Sequence, residues 1–144
     1  MIINDSLKIK SKLHTEIINI TLKVKELVKK SKIKNGLAIV YTRHTTTAVR
    51  INENEECLFK DINSFLEKLA PQKGKYLHDD TTLRNCPKDE RINAYAHLRS
   101  LILNSSEVIP IENYNLCLGN WQSIFFIELD GKRDRELKVT LIGE

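Results

Sequence analysis

The chain has 144 residues, 41% hydrophobic and 29% charged, a length and mixture that fit one ordinary domain spanning 1–144. No uncharged apolar run approaches the ~20 residues of a membrane span, and the first ten residues lack the charged start and apolar stretch of a signal peptide, so a cytoplasmic protein without a membrane partner is expected. The net charge of +4 is uneven, nine Lys against three acidic residues over 1–36 and a slight acidic excess afterwards; the lysines stand singly with no aromatic residue among them for base stacking, which points to a solvated face rather than to nucleic acid.

The first predicted strand is Leu7–Leu13, where apolar and polar residues alternate. Glu16–Ile20 reads as a second strand pairing with it. Thr21 is placed to cap a helix of about ten residues, with Leu22, Leu27 and Val28 as its apolar stripe and Asn35-Gly36 as its stop. Leu37–Thr42 is a continuous apolar run of the kind found in central strands. Helical periodicity returns over Glu55–Leu69, with Leu58, Ile62, Phe65, Leu66 and Leu69 on one side and Pro71 closing it. Residues 71–90 have neither period, and a connection this long in a compact domain is usually functional. A third helix over Arg91–Asn104 shows Ala94, Tyr95, Leu98, Leu101 and Ile102 on one face. Strands then follow at Glu107–Ile111, at Leu116–Leu129 with a break at Gly119, and at Glu136–Ile142, with Asp130-Gly131 as a hairpin turn between the last two. Strands and about three helices mix without a βαβ rhythm, which predicts an α+β fold with a mixed, largely antiparallel sheet.

Three cysteines, Cys57, Cys86 and Cys117, form no C-x-x-C pair and read as reduced thiols packed as small hydrophobes. Among residues fit for chemistry, His44 follows an apolar strand, His78 lies in the long loop, and His97 sits at the margin of a helix face shared with Asn93. Three imidazoles from separate elements could converge on Zn²⁺ or another divalent metal with one position open, aided by Asp79 or Asp80. Their spacings match no local metal motif, so unrelated surface histidines are the alternative; His14 is assigned to that alternative. Asn52 or Asn54 could cap a helix, and Glu53 could be a general base. The hydroxyls of Thr45, Thr46 and Thr47 could donate to phosphate oxygens or serve as plain strand residues. Trp121 reads as a core residue more readily than as a stacking platform. Arg133 and Arg135 could clamp a phosphate or simply decorate a hairpin tip.

The ordered segments His44–Asn54, Tyr76–His78, Asn93–Leu98, Val108–Ile111, Leu118–Gln122 and Glu128–Arg135 resemble the YjbQ family, commonly labelled secondary thiamine-phosphate synthase. The resemblance implies an α+β homotrimer with a site where His44, His78 and His97 meet, often with a metal. It also implies site roles for Asn52, Glu53, Asn93, Gln122, Arg133 and Arg135, and a small phosphorylated metabolite as partner. The implied reaction joins an aminopyrimidine diphosphate to a thiazole phosphate; the alternative is a non-catalytic module binding a metal or phosphometabolite. The chain departs from the family pattern at Thr47, Ala48, Asn104, Asn120 and Lys132, the last in the turn that carries the arginines.

Overall fold

The computed structural model describes Met1–Glu144 as eight strands and three helices. In chain order these are β1 (Ile2–Lys10), β2 (Glu16–Asn19), α1 (Thr21–Ser31), β3 (Gly36–Thr42), β4 (Thr47–Asn52), α2 (Glu56–Leu69), α3 (Ala94–Leu103), β5 (Ser106–Glu112), β6 (Asn115–Leu116), β7 (Ser123–Glu128) and β8 (Asp134–Gly143). Two 3-10 turns, Leu77–Asp79 and Thr81–Leu83, punctuate the long loop before α3. Five strands form one sheet in the order β1-β8-β3-β5-β6, and three form a second in the order β2-β7-β4. Every pairing is antiparallel, so the α+β expectation holds.

The alternation of β8 shows how the layers arise. Leu137, Val139 and Leu141 are buried while Glu136, Lys138 and Thr140 face outward. The inward rows of the large sheet, Val24 and Val28 of α1, and Val49, Ile124 and Phe126 of the small sheet share one core. The opposite face of the small sheet, Ala48, Phe125 and Ile127, packs on Leu66 of α2 and on Tyr95 and Ala96 of α3 to form a second core. The small sheet is thus buried on both faces, which explains the unbroken apolar run Ile124-Phe-Phe-Ile127. The outer face of the large sheet has no layer over it, leaving Leu37, Tyr41, Val108 and Ile142 exposed.

Several sequence expectations are corrected. β1 and β2 do not pair: β1 lies against β8 and β2 against β7, because the chain changes sheets between them. Asp130-Gly131 closes no hairpin, since β7 and β8 belong to different sheets and this segment is a crossover. Helix α1 buries Val24 and Val28 and leaves Leu22 exposed. Its cap position is Ile20, while Thr21 Oγ1 donates to Asn19 Oδ1 and accepts from the Ile124 N–H. The helix stops at Lys32, in the left-handed region, ahead of Asn35-Gly36. Neither Asn52 nor Asn54 caps α2; the Glu55 carboxylate does, accepting from the Cys57 and Leu58 N–H groups. Leu98, Leu101 and Ile102 lie on the outer side of α3, Trp121 is 75% exposed instead of in the core, and Cys57 and Cys117 are exposed with Cys86 half-buried.

Candidate functional site

Two crossovers between the sheets, residues 43–46 joining β3 to β4 and 129–133 joining β7 to β8, meet at one end of the domain beside the start of α3. Glu128, the last residue of β7, is fully buried, and so is the side chain of Arg135 near the start of β8. The guanidinium grips the carboxylate with two hydrogen bonds, Nε to Oε1 at 2.9 Å and Nη2 to Oε2 at 2.6 Å, and also donates to Thr46 Oγ1 at 2.9 Å. Ser11 Oγ and the N–H groups of Leu129 and Asp130 complete the shell around Glu128. Burial alone would raise this carboxyl, but the Arg135 and Ser11 hydrogen bonds and the Arg135 charge outweigh it and hold it below its ordinary range. Arg135 and Thr46, expected to face phosphate, are therefore committed inward to joining the sheets, and Thr47 is buried as well; of the three threonines only Thr45 is exposed.

A second carboxylate, Asp130, is the hub of the exposed half of the cluster. Arg91 donates to both its oxygens at 3.0 Å, Asn93 Nδ2 donates at 2.9 Å, and Arg133 Nη1 lies at 3.4 Å. Burial pushes Asp130 up, and the Arg91 and Asn93 hydrogen bonds with the Arg91 and Arg133 charges pull it below the usual carboxylate range. His14 stands 3.8 Å from the same carboxylate and hydrogen-bonds the Tyr95 hydroxyl, whose ring it stacks against at 5.7 Å. Burial and the Asp130 charge push the Tyr95 phenol up to about 12. Two residues further along α3, His97 meets His78 edge to face, with ring centroids 4.8 Å apart. The Asp79 carboxylate beside His78 accepts from the Ala94 N–H and so pins the loop to the start of α3. Burial and the neighbouring His78 lower the His97 pKa.

The predicted histidine triad is thus divided. His78 and His97 meet, but His44 lies on the other crossover, where its Nε2 accepts the Glu136 N–H at 3.1 Å. Burial and the Arg135 charge lower its pKa. His44 lines an open depression of about 560 Å³ with Lys8, Lys10, Asp134 and Glu136. No group of three or more His, Cys, Asp or Glu side chains in the chain is arranged to hold a metal ion, so the donors of one chain do not fit a three-histidine zinc centre.

Asn52, Glu53, Trp121 and Gln122 form a separate depression of about 490 Å³. Asn52 Oδ1 accepts from the Glu53 N–H and Gln122 Oε1 from the Gly119 N–H. In the β4–β7 register Thr47 faces Glu128 and Asn52 faces Ser123. Five residue steps at ~3.3 Å put the two clusters about 17 Å apart along the strands. Sequence reasoning missed Glu128, Asp130, Arg91, His14 and Tyr95. The available signal was two acids closing the apolar run Phe125-Phe-Ile-Glu-Leu-Asp130, where carboxylates need buried partners.

A two-sheet α+β domain with a histidine–arginine cluster at its crossovers is the class the geometry defines. Residues 5–144 match the family described as "UPF0047 protein YjbQ-like", and the chain belongs to that family. It is 40% identical over 138 residues to a UPF0047 protein of Methanothermobacter thermautotrophicus, covering 96% of this chain and 90% of the relative. A UPF0047 protein of Archaeoglobus fulgidus is 43% identical, with 92% and 96% covered. Among solved structures, a protein of Sulfolobus solfataricus P2 described as YbjQ-like and of unknown function superposes with a TM-score of 0.89 at 31% identity, covering 100% of this chain and 99% of that one. A YjbQ/UPF0047 protein of Clostridium acetobutylicum gives 0.85 at 35% identity, with 96% and 99% covered.

Proposed function

We propose that the protein is an enzyme acting on a small phosphorylated metabolite, and that the reaction to test first is of the thiamine-phosphate-synthase type suggested by the sequence resemblance. In that reaction the bond from the pyrimidine methylene to diphosphate breaks, the thiazole nitrogen forms the new C–N bond, and pyrophosphate leaves. The observation that carries the reading is the pairing of His78 with His97 beside Asp130, flanked by the partly exposed Arg91 and Arg133. Guanidinium and imidazole groups held at fixed positions stabilise negative charge developing on a leaving diphosphate, and Arg133, anchored through one nitrogen, keeps other donors for the ligand. His78 and His97 supply only two donors, too few to hold a metal by themselves. A divalent cation bound there would draw its remaining ligands from outside the chain.

Steady-state assay of pyrophosphate release from the two thiamine precursors tests the reading. Turnover that falls at least tenfold in His97→Ala supports it; turnover absent with both precursors, or unchanged in His97→Ala and His44→Ala, refutes it. The homotrimer that the resemblance implies is checked by sedimentation equilibrium, where a mass other than that of three chains would refute it. The alternative, a phosphometabolite-binding module without turnover, is favoured by one observation: Glu53, the carboxylate expected to act as base, lies at the far cluster within the chain. Calorimetric binding of either precursor with no pyrophosphate released would establish that alternative.

A further inference from the structure

Six lysines, Lys23, Lys25, Lys29, Lys30, Lys32 and Lys34, lie exposed on α1 and the loop after it, and none is within salt-bridge distance of a carboxylate. The sequence offers no aromatic residue near them, but the fold does. β5 and β6 turn back through Asn113 and Tyr114, both with positive φ (47° and 65°), and the hairpin lies against α1. A two-residue turn with both centres left-handed takes Asn-Gly by preference, and a bulky side chain there is an outlier. Here the second position is a tyrosine, 49% exposed, with its N–H held by the Lys34 carbonyl at 3.0 Å. Its neighbours line a crevice of about 230 Å³: Lys25 and Lys29 on one wall, Tyr114 and Asn115 on the other, and the nearly buried Leu116. Lys25 and Lys29 are four residues apart and so share one flank of α1.

From these three features, a ring kept at an unfavourable backbone position, an unpaired lysine flank and an apolar-floored crevice between them, we infer that this face binds a purine or pyrimidine base carrying phosphate. Tyr114 stacks on the base, Asn115, whose Nδ2 donates to the Asn113 carbonyl at 2.7 Å, turns its amide oxygen to the base edge, and the Lys25 and Lys29 ammonium groups take the phosphate. The crevice is smaller than the roughly 300–1,000 Å³ pockets that enclose whole ligands, so the sugar stays in solvent. The site lies on α1 and the β5–β6 hairpin, apart from the histidine–arginine cluster.

The test is two-dimensional NMR titration of the full chain with AMP, adenosine, inorganic phosphate and a short oligoadenylate RNA. AMP is expected to shift the amides of residues 25–29 and 113–116 and to bind more tightly than adenosine or phosphate alone. Tyr114→Gly suits the left-handed turn and so keeps the fold, yet weakens AMP about tenfold, as loss of one stacked base implies; Tyr114→Phe retains binding. Lys25→Gln with Lys29→Gln weakens AMP and leaves adenosine unaffected. RNA binding far tighter than AMP, and steeply salt-dependent, identifies the source as a nucleic-acid strand, whereas similar affinities identify a free nucleotide. The inference is overturned if neither AMP at ~10 mM, a weak-binding limit, nor the RNA shifts residues 113–116. Equal binding by Tyr114→Gly and Tyr114→Phe, or shifts confined to the surroundings of His78 and His97, would overturn it too.

Discussion

Replacing Arg135 with Met isolates the contribution of the buried ion pair that ties the two sheets together. The Arg135 and Glu128 side chains are 2% and 0% exposed, so the variant strands a carboxylate in the interior with only the Ser11 hydroxyl and two backbone N–H groups as partners. Removing one member of such a pair costs about 3–5 kcal/mol, a large share of the ~5–15 kcal/mol that holds a domain folded. At about 3 °C per kcal/mol for a chain of this size, the melting temperature at pH 7 falls by roughly 9–15 °C. The sign of the pH dependence follows from Glu128. In the native protein its pKa is held below the unfolded value, so its stabilisation is complete above the unfolded pKa and is lost as pH falls through the folded one. Without Arg135, burial raises the folded pKa above the unfolded value, so the destabilisation is full at pH 7 and shrinks on acidification toward pH 4. Thermal unfolding followed by circular dichroism at pH 7 and 5 measures both effects, and the double variant Glu128→Gln, Arg135→Met should recover most of the loss. A melting temperature within ~2 °C of the native protein, smaller than one kcal/mol predicts, would refute the reasoning, as would a deficit independent of pH.

Other substitutions test the remaining geometry. Asp130→Asn removes a charge that raises the His97 pKa, so an NMR titration should show His97 titrating lower than in the native chain; an unchanged or higher value would contradict the placement of Asp130. Burial and neighbouring positive charge lower the pKa of both His44 and His97, so if either acts as a neutral base, kcat should hold at pH 7 and fall only below the ordinary imidazole value of about 6.5. A fall beginning above that value would exclude both as the titrating group. Gly36→Ala drives a Cβ into the Ile142 carbonyl of the neighbouring strand and should cost about 1–3 kcal/mol by denaturant unfolding. Trp121→Ala should change stability by no more than ~0.5 kcal/mol, where a core tryptophan would cost about 3–5 kcal/mol.

Where one face of an element is buried, the other wet and its residues polar, the period is legible, as in β8; β3 is buried on one face only, but Leu37, Ile39 and Tyr41 on its outer face make an apolar run that hides the alternation. Pairing was not legible, because Glu16–Asn19 carries no mark of whether its partner is β1 or a strand more than a hundred residues away. The Asp130-Gly131 turn misled for the same reason, since a dipeptide that reverses the chain serves a hairpin and a crossover equally. In the site, the histidines stand out by rarity, whereas Glu128 and Arg135 look like ordinary surface charges until the crossover buries them. His14 precedes its partner Tyr95 by 81 residues, and no local pattern links the two.

The place of β8 has a consequence for the order in which the chain takes shape. Residues 134–143 lie between β1 and β3 and hydrogen-bond to both, and the Met1 amino group donates to the Gly143 carbonyl at 2.8 Å. During synthesis β1 and β3 emerge with more than ninety residues still to follow β3, and the strand that joins them comes after every other element. Until it leaves the ribosome, their facing edges stay unpaired and open to wrong partners. Deleting β8 would split the large sheet through its middle, leaving β1 alone and β3 with only β5 and β6 beyond it.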